Sequence, residues 1–376
     1  MRFVDLVAAP STLKPGRWAL VYATVDTSLA ATVGALAAKM RGAPVFGCTS
    51  SRGVFTPRGF ERGAFALIAD ESDPAAASVA RACNAVGARR SAREAALAIT
   101  QQLGRRPDAL LLHATPGFEE RLVEGLEDAF DGQPPPTYGG SAADDDLSGG
   151  WRVFSGTQVE REGFVLAGFT SEKPVHGSFV AGYVPGKQRG TVTRAKGRVI
   201  LEIDHEPAAV VYNRWRAGAL DGALGRDQVV LGDTTLHPIG RVIDRVGNVP
   251  RHLLSHPHEV RADGSLSLFT EIAVGDEIAM MVGSEASLLE RTEQVVTRAL
   301  GSGARNTALR AGILVYCGGC VMAIGDRTRA VSELYRKAIG GAPFVGAATF
   351  GEIGCFTGPS PVNRHGNLMC DTILFE

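Results

Sequence analysis

Three segments of the chain repeat one order of apolar and polar positions. The first runs "RWALVYAT" (17–24), "SLAATVGALAAKM" (28–40), then Pro44-Val45-Phe46-Gly47-Cys48. The second runs "PDALLLHAT" (107–115), "FEERLVEGLEDAF" (118–130), then Pro136-Thr137-Tyr138-Gly139-Gly140. The third runs "LRAGILVYCGG" (309–319), "RTRAVSELYRKAI" (327–339), then Pro343-Phe344-Val345-Gly346-Ala347. A continuous apolar run bounded by turn residues predicts a strand buried on both faces. Apolar residues at i, i+3, i+4 and i+7 in the segments that follow predict amphipathic helices. Each unit therefore predicts strand, crossover helix and short strand, an order that suits parallel pairing. Proline fits the first residue of the short strand, where no ladder donor is needed. The glycine three residues on permits a sharp turn or a close approach of the backbone.

After each unit the pattern changes to alternation, in "GAFALIAD" (63–70), "GFVLAGFTSE" (163–172) and "LMCDTILFE" (368–376). These predict strands returning antiparallel in mixed sheets. Two further helices, "SAREAALAITQQLG" (91–104) and "SEASLLERTEQVVTRALG" (284–301), lead into the second and third units. The fold class expected is α/β, with two related domains of mixed β-sheets built from repeated strand–helix–strand units. The pattern relaxes in "AGALDGALGRDQ" before a new β-rich stretch, which places the expected domains at 18–220 and 221–376.

A chain of 376 residues is long for one ordinary core, which agrees with two domains. Its formal net charge of -1, with no polybasic run, gives no field that would favour nucleic acid or an anionic membrane. Asp5 interrupts the only apolar stretch at the N-terminus, against a secretion signal, and no apolar run approaches the length of a membrane span. Six sparse cysteines suggest no disulfide framework, so the cytoplasm is the expected compartment. With no anchor or output module read in the sequence, any signal is expected to pass to a separately encoded partner.

Candidate chemistry gathers after the short strands. Gly139 to Asp146 combine flexible backbone, the Ser141 hydroxyl and three carboxylates. Amides after Gly140 suit a ligand carboxylate, and Asp144 or Asp145 suits an amino group; a capped turn is the alternative. Glu352, directly after Gly351, lies beyond a strand end, where α/β sheets bind ligands, and needs a ligand cation or an arginine if buried. Cys317 and Cys320 end a buried run and read as a core or pocket-lining pair, since glycines and the apolar "VMAI" follow them and no second such pair completes a zinc site. Cys48 occupies a turn beside Thr49 and Ser50, with no histidine nearby in sequence to activate it. In "RHLLSHPHEV", His252, His256 and His258 share one face if the segment is a strand, which suits a metal or haem iron, or else a solvent-facing edge. No P-loop, dinucleotide fingerprint or nucleophile elbow is present.

Four phrases in order resemble the FIST family of paired N- and C-terminal sensory domains. They are Gly47-Cys48-Thr49-Ser50 with Arg52-Gly53, Gly139-Gly140-Ser141-Ala142 with Asp144-Asp145, the Cys317–Cys320 strand end, and Gly346 to Ile353 followed by Asn363, His365 and Asn367. Arg52-Gly53 stands where the family has Gly-Glu, and Cys320 where it has Arg. The resemblance implies a cytoplasmic small-molecule sensor acting through a histidine kinase, chemotaxis receptor or cyclic-di-GMP enzyme. It implies an amino-acid-like ligand, or haem and nitric oxide in one branch, with His365 the better candidate for a pocket imidazole and His176 a further one. The expected site is Gly47, Cys48, Gly140, Ser141, Asp144, Asp145, Cys317, Gly351, Glu352 and His365. A thiol enzyme using Cys48 or Cys317, and a protein-binding scaffold, are the rival readings.

Overall fold

The computed structural model describes residues 1–8, 13–301, 307–358 and 361–376. The three predicted units are all present. Strands Trp18–Ala23, Ala109–Ala114 and Ala311–Cys317 lead into helices Leu29–Met40, Glu119–Ala129 and Thr328–Ala338. Each helix returns to a short strand: Val45–Thr49, Thr137–Ser141 or Phe344–Thr349. First and last strands of every unit pair in parallel. The alternating segments return antiparallel as Ala64–Ala69, Gly163–Thr170 and Cys370–Phe375. The helices expected to lead into the second and third units span Ala88–Leu103 and Glu285–Leu300.

Each unit is the centre of one six-stranded mixed sheet, and all three sheets have the same order. An outer strand (Arg2–Asp5, Ala75–Ala82 or Val175–Val180) pairs with the return strand. The parallel pair follows, and a hairpin completes the edge. The hairpin comes from a different unit every time. The hairpin after the first unit (Val54–Thr56, Gly59–Glu61) joins the third sheet. The one after the third (Glu352–Phe356, Val362–Gly366) joins the second, and the one after the second (Val153–Ser155, Gln158–Glu160) joins the first. Registers coincide, with Gly47 opposite Phe154, Gly139 opposite Ile353 and Gly346 opposite Phe55. The exchange is thus a closed three-way cycle.

The sheets enclose one core to which all three contribute. At one end Trp18, Phe169 and Phe375 meet with ring centroids 5.3 to 6.0 Å apart, in tilted and edge-to-face arrangements. Helices cover the outer faces through Val33 and Leu36, through Leu122 and Leu126, and through Val331 and Tyr335. With both faces covered, every residue of the strand Trp18–Ala23 is buried, as its unbroken apolar run requires. The β-rich stretch expected after residue 232 begins earlier, at the strand Val184–Lys196. It forms a fourth, nine-stranded sheet with its own core around Ile203, Tyr212 and Leu266.

The shared glycine lies inside the short strand and not at a turn. A Cβ on Gly47 would stand 1.8 Å from the Val21 carbonyl oxygen, and one on Gly139 would stand 2.1 Å from that of Leu112. Both have positive φ, 154° and 135°. Of the two uses open to this residue, close approach to the parallel neighbour is the one realised.

Candidate functional site

The ends of the three short strands are tied together by backbone hydrogen bonds. The Thr49 carbonyl accepts from Ala143 N–H (3.1 Å), that of Ser141 from Phe350 (3.0 Å), and that of Ala348 from Ser51 (3.0 Å). These pairs occupy equivalent positions, so each unit's strand end is bonded to the turn of the next. The turns are held at one end of the common core, and the fourth sheet packs beside them.

A cavity of about 310 Å³ opens there, a size suited to a small ligand. Ser51 and Arg52 come to it from the first turn, Asp145 and Trp151 from the second, and Phe350 and Gly351 from the third. Cys317 and Met322 form another wall, and Leu231, His256 and Phe269 belong to the inserted region. Trp151, Phe269 and Phe350 bring aromatic rings to the walls. Trp151 and Phe350 meet edge to face at 6.2 Å, and His258 stacks on Phe269 at 4.3 Å.

Polar groups at the mouth are mostly committed. Arg52 has φ 62°, and its N–H donates to Asp145 Oδ1 at 2.6 Å. Asp145 Oδ2 accepts from Arg62 at 2.9 Å. The exposed Arg52 guanidinium has no hydrogen bond or ion pair among the described residues. His256 is buried, with Nε2 3.1 Å from the Leu231 carbonyl and 3.3 Å from the Thr235 hydroxyl. Burial lowers its pKa to about 3, so it is a neutral imidazole donating to Leu231.

Of the residues expected in the site, Asp145, Cys317 and Gly351 line this cavity. Asp144 caps its own loop, accepting from Leu147 and Gly150 N–H at 2.7 Å each. Gly47, Cys48 and Gly140 lie within strands, and a Cβ on Gly140 would meet the Gly351 carbonyl oxygen at 2.5 Å. The Cys48 thiol faces the common core with no exposure, and burial raises its pKa well above the ordinary value. It is not in a turn and offers solvent no nucleophile. Glu352 sits one residue behind the cavity wall, accepting from the Thr349 hydroxyl (2.8 Å) and Met369 N–H (2.9 Å). Burial raises its pKa to about 8, so it is a neutral acid at neutral pH, and no arginine is bonded to it among the described residues.

Ser141 and His365 belong to a second, separate cluster. The Ser141 hydroxyl donates to Glu119 Oε1, and His365 Nδ1 lies 3.0 Å from Glu120 Oε1. Arg198 of the inserted region bridges both carboxylates at 2.6 Å each. Ligand atoms of Glu119, Glu120 and His365 fall within 4.8 Å of one another, but Arg198 already supplies the cation. Burial opposes the charge on each carboxylate, yet His365 and Arg198 hold both below the usual range. Burial likewise opposes the charge on His365, whose pKa the two glutamates raise.

The segment 252–258 is interrupted at His256, between the strands Val249–Ser255 and Pro257–Val260. Its three imidazoles do not converge: His256 faces the cavity, His258 stacks on Phe269, and His252 lines a separate hollow. His176 pairs with Glu376 at 2.5 Å, away from the site. These residues do not fit haem. His256 has its Nε2 engaged, the Nε2 of His365 lies 4.0 Å from Glu119 Oε1 and behind the cavity-lining Gly351, and Arg52 alone of the lining residues is cationic, against two propionates.

Sequence reasoning missed Trp151, Phe350 and His256 as lining residues. The first two adjoin the repeated phrases, so position relative to the repeat was the available signal. For His256 only the break at Pro257 hinted that alternation would fail. It also missed the helix Gly318–Ile324, which begins directly after Cys317.

No curated protein matches the chain. The FIST N domain model matches residues 17–206 and the FIST C domain model residues 208–355, so nearly the whole described sheet system is covered. The chain belongs to the FIST family, whose domains are associated with sensory signal transduction.

Proposed function

We propose that this protein is a sensor for a small, mainly apolar molecule bearing one acidic group, and that it passes occupancy to a separately encoded signalling protein. The observation that carries this is the make-up of the cavity. Its walls come from the turns of all three units and from the inserted region, so a bound molecule contacts every part of the fold at once. A ligand that binds one packing of these parts better than another shifts the equilibrium between them, and the partner's effect on ligand affinity is reciprocal. Trp151, Phe269 and Phe350 suit an aromatic or branched body. The unpaired Arg52 at the mouth suits a carboxylate, which it can take bidentately. Asp145 is already satisfied twice, so an amino group on the ligand would have to turn to the exposed Asp146.

Isothermal titration of the full chain with aromatic and branched-chain carboxylic acids tests this, with the matching amides as controls. Acids are expected to bind, and Arg52→Gln to weaken them by about tenfold or more, the worth of a charge-assisted contact. Equal binding of acids and amides, or no effect of Arg52→Gln, would overturn the anion assignment. A broad library that leaves the melting temperature unmoved would overturn the ligand reading itself. No described helix is long and apolar enough to cross a membrane.

A further inference from the structure

Behind the cavity wall lies a charged group that ligand binding does not use. Arg291, on the helix Glu285–Leu300, is wholly buried. Its Nη1 donates to the carbonyls of Ala181 (2.9 Å) and Leu368 (2.5 Å), and its guanidinium carbon stands 4.2 Å from the Tyr316 ring centroid. Nε and Nη2 have no partner, and Arg291 pairs with no carboxylate among the described residues. A buried cation needs a counter-charge. The groups facing it are the thiols of Cys320 and Cys370, the phenols of Tyr183 and Tyr316, and, further round, Glu352.

Of these groups Cys320 answers best. Burial alone would raise its pKa, but the neighbouring Cys317 thiol and the Arg291 charge bring it down to about 6. Burial drives Cys370 and Tyr316 the opposite way, and Glu352 is neutral. The Tyr183 hydroxyl lies 3.6 Å from Cys320 Sγ, with the Thr235 carbonyl at 2.9 Å competing for its one proton. Cys317 closes its strand with φ -66° and ψ 129° and is the N-cap of the next helix, and Cys320 follows three residues on in its first turn, the spacing at which two side chains share one face. Cys320 is sealed off, whereas Cys317 is 5% exposed and faces the cavity; burial raises the Cys317 pKa well above the ordinary value, as at Cys48, so it needs a base beside it.

We propose that Cys317 and Cys320 are a redox dithiol, with Arg291 as its fixed cation, which a small hydroperoxide entering the cavity converts to a disulfide. Cys317 passes its proton to the Cys320 thiolate as its sulfur attacks the peroxide oxygen. The O–O bond breaks, Cys317 becomes a sulfenic acid, and the departing alkoxide or hydroxide recovers the proton from Cys320. The regenerated Cys320 thiolate then displaces hydroxide from the Cys317 sulfur, and that hydroxide takes a proton from solvent. In sum, one thiol, one thiolate, one hydroperoxide and one proton give the disulfide, an alcohol or water, and water. Two electrons pass from the sulfurs to the peroxide. The disulfide leaves Arg291 without its counter-charge, which favours the reduced form and makes the bond easy to reduce. The proposal needs only access through the cavity, so a failed ligand screen leaves it standing.

The test uses the reduced full chain, pulsed with hydrogen peroxide, denatured, alkylated with iodoacetamide and mapped by mass spectrometry. The expected result is a 317–320 peptide lighter by two hydrogens, restored by dithiothreitol and formed at least about tenfold faster than oxidation of the half-buried Cys83. Cys320→Ser removes both the base and the resolving thiolate, so no disulfide is expected and a Cys317 sulfenic acid, trapped by dimedone, is expected to form at least about tenfold more slowly than the wild-type disulfide. Full alkylation of both cysteines after the pulse, or oxidation of Cys83 at the same rate or first, would overturn the proposal. Should the variant fail to fold, the wild-type map decides alone.

Discussion

Glu352 is where the third unit departs from the other two. The register of the exchanged hairpins puts it at the position held by Val153 and Val54, so a carboxyl group occupies an apolar slot. Two hydrogen bonds satisfy it, and burial keeps it protonated up to a pH of about 8. The unfolded chain loses this proton near pH 4.5, the ordinary value for glutamate. Between those limits the native state binds one more proton than the unfolded state, so the contribution of Glu352 to stability is complete below pH 4.5 and is lost as pH rises towards 8. The difference in unfolding free energy between wild type and Glu352→Gln is expected to fall by about 1.4 kcal/mol per pH unit across that window. Urea denaturation at a series of pH values measures it, and a flat difference would show that Glu352 is ionised in the fold. The sequence placed this residue beyond a strand end and, if buried, in need of a partner. Its neutral state was not legible there, because burial raises its pKa against the Thr349 and Met369 donors, and that burial comes from packing between distant segments.

At the scale of the element, apolar run length and helical spacing located the parallel strands and crossover helices of all three units. That worked because strands covered on both faces carry no polar residues to confuse the pattern. The role of the repeated glycine was open between a turn and a close approach, since both ask for a residue without a Cβ. Neighbouring backbone decided it. Gly139→Ala is expected to lose about 3 kcal/mol or more, because its φ of 135° is strained for alanine and the new Cβ collides with the Leu112 carbonyl. Gly34→Ala, within a helix and with nothing within 4 Å of the new Cβ, is expected to gain about 0.5 to 1 kcal/mol. Thermal melts of the two variants check the contrast, and similar shifts would mean that the strands relax around the added methyl.

For the whole molecule, the governing fact is that each sheet borrows its edge hairpin from another unit. The second sheet is completed from residues 352–366 and the third from residues 54–61. Residues 1–206 alone would leave the second sheet with an open edge, and residues 208–376 would do the same to the third; unpaired edges of this kind invite aggregation. Calorimetry of the full chain is expected to give one cooperative transition for the three-sheet body, while either piece expressed alone gives none. A separately folded piece with native-like amide dispersion would refute this. The sequence by itself determined the α/β class, the three repeated units and the glycine at their centre, because each rests on local spacing along one segment. Only the tertiary structure decided which hairpin completes which sheet, that His365 joins Glu119, Glu120 and Arg198 instead of the cavity, and that Arg291 stands behind Cys320. Those pairings join residues far apart in the chain, and they are selected by burial and by the need of each buried charge for a partner, which no local pattern encodes.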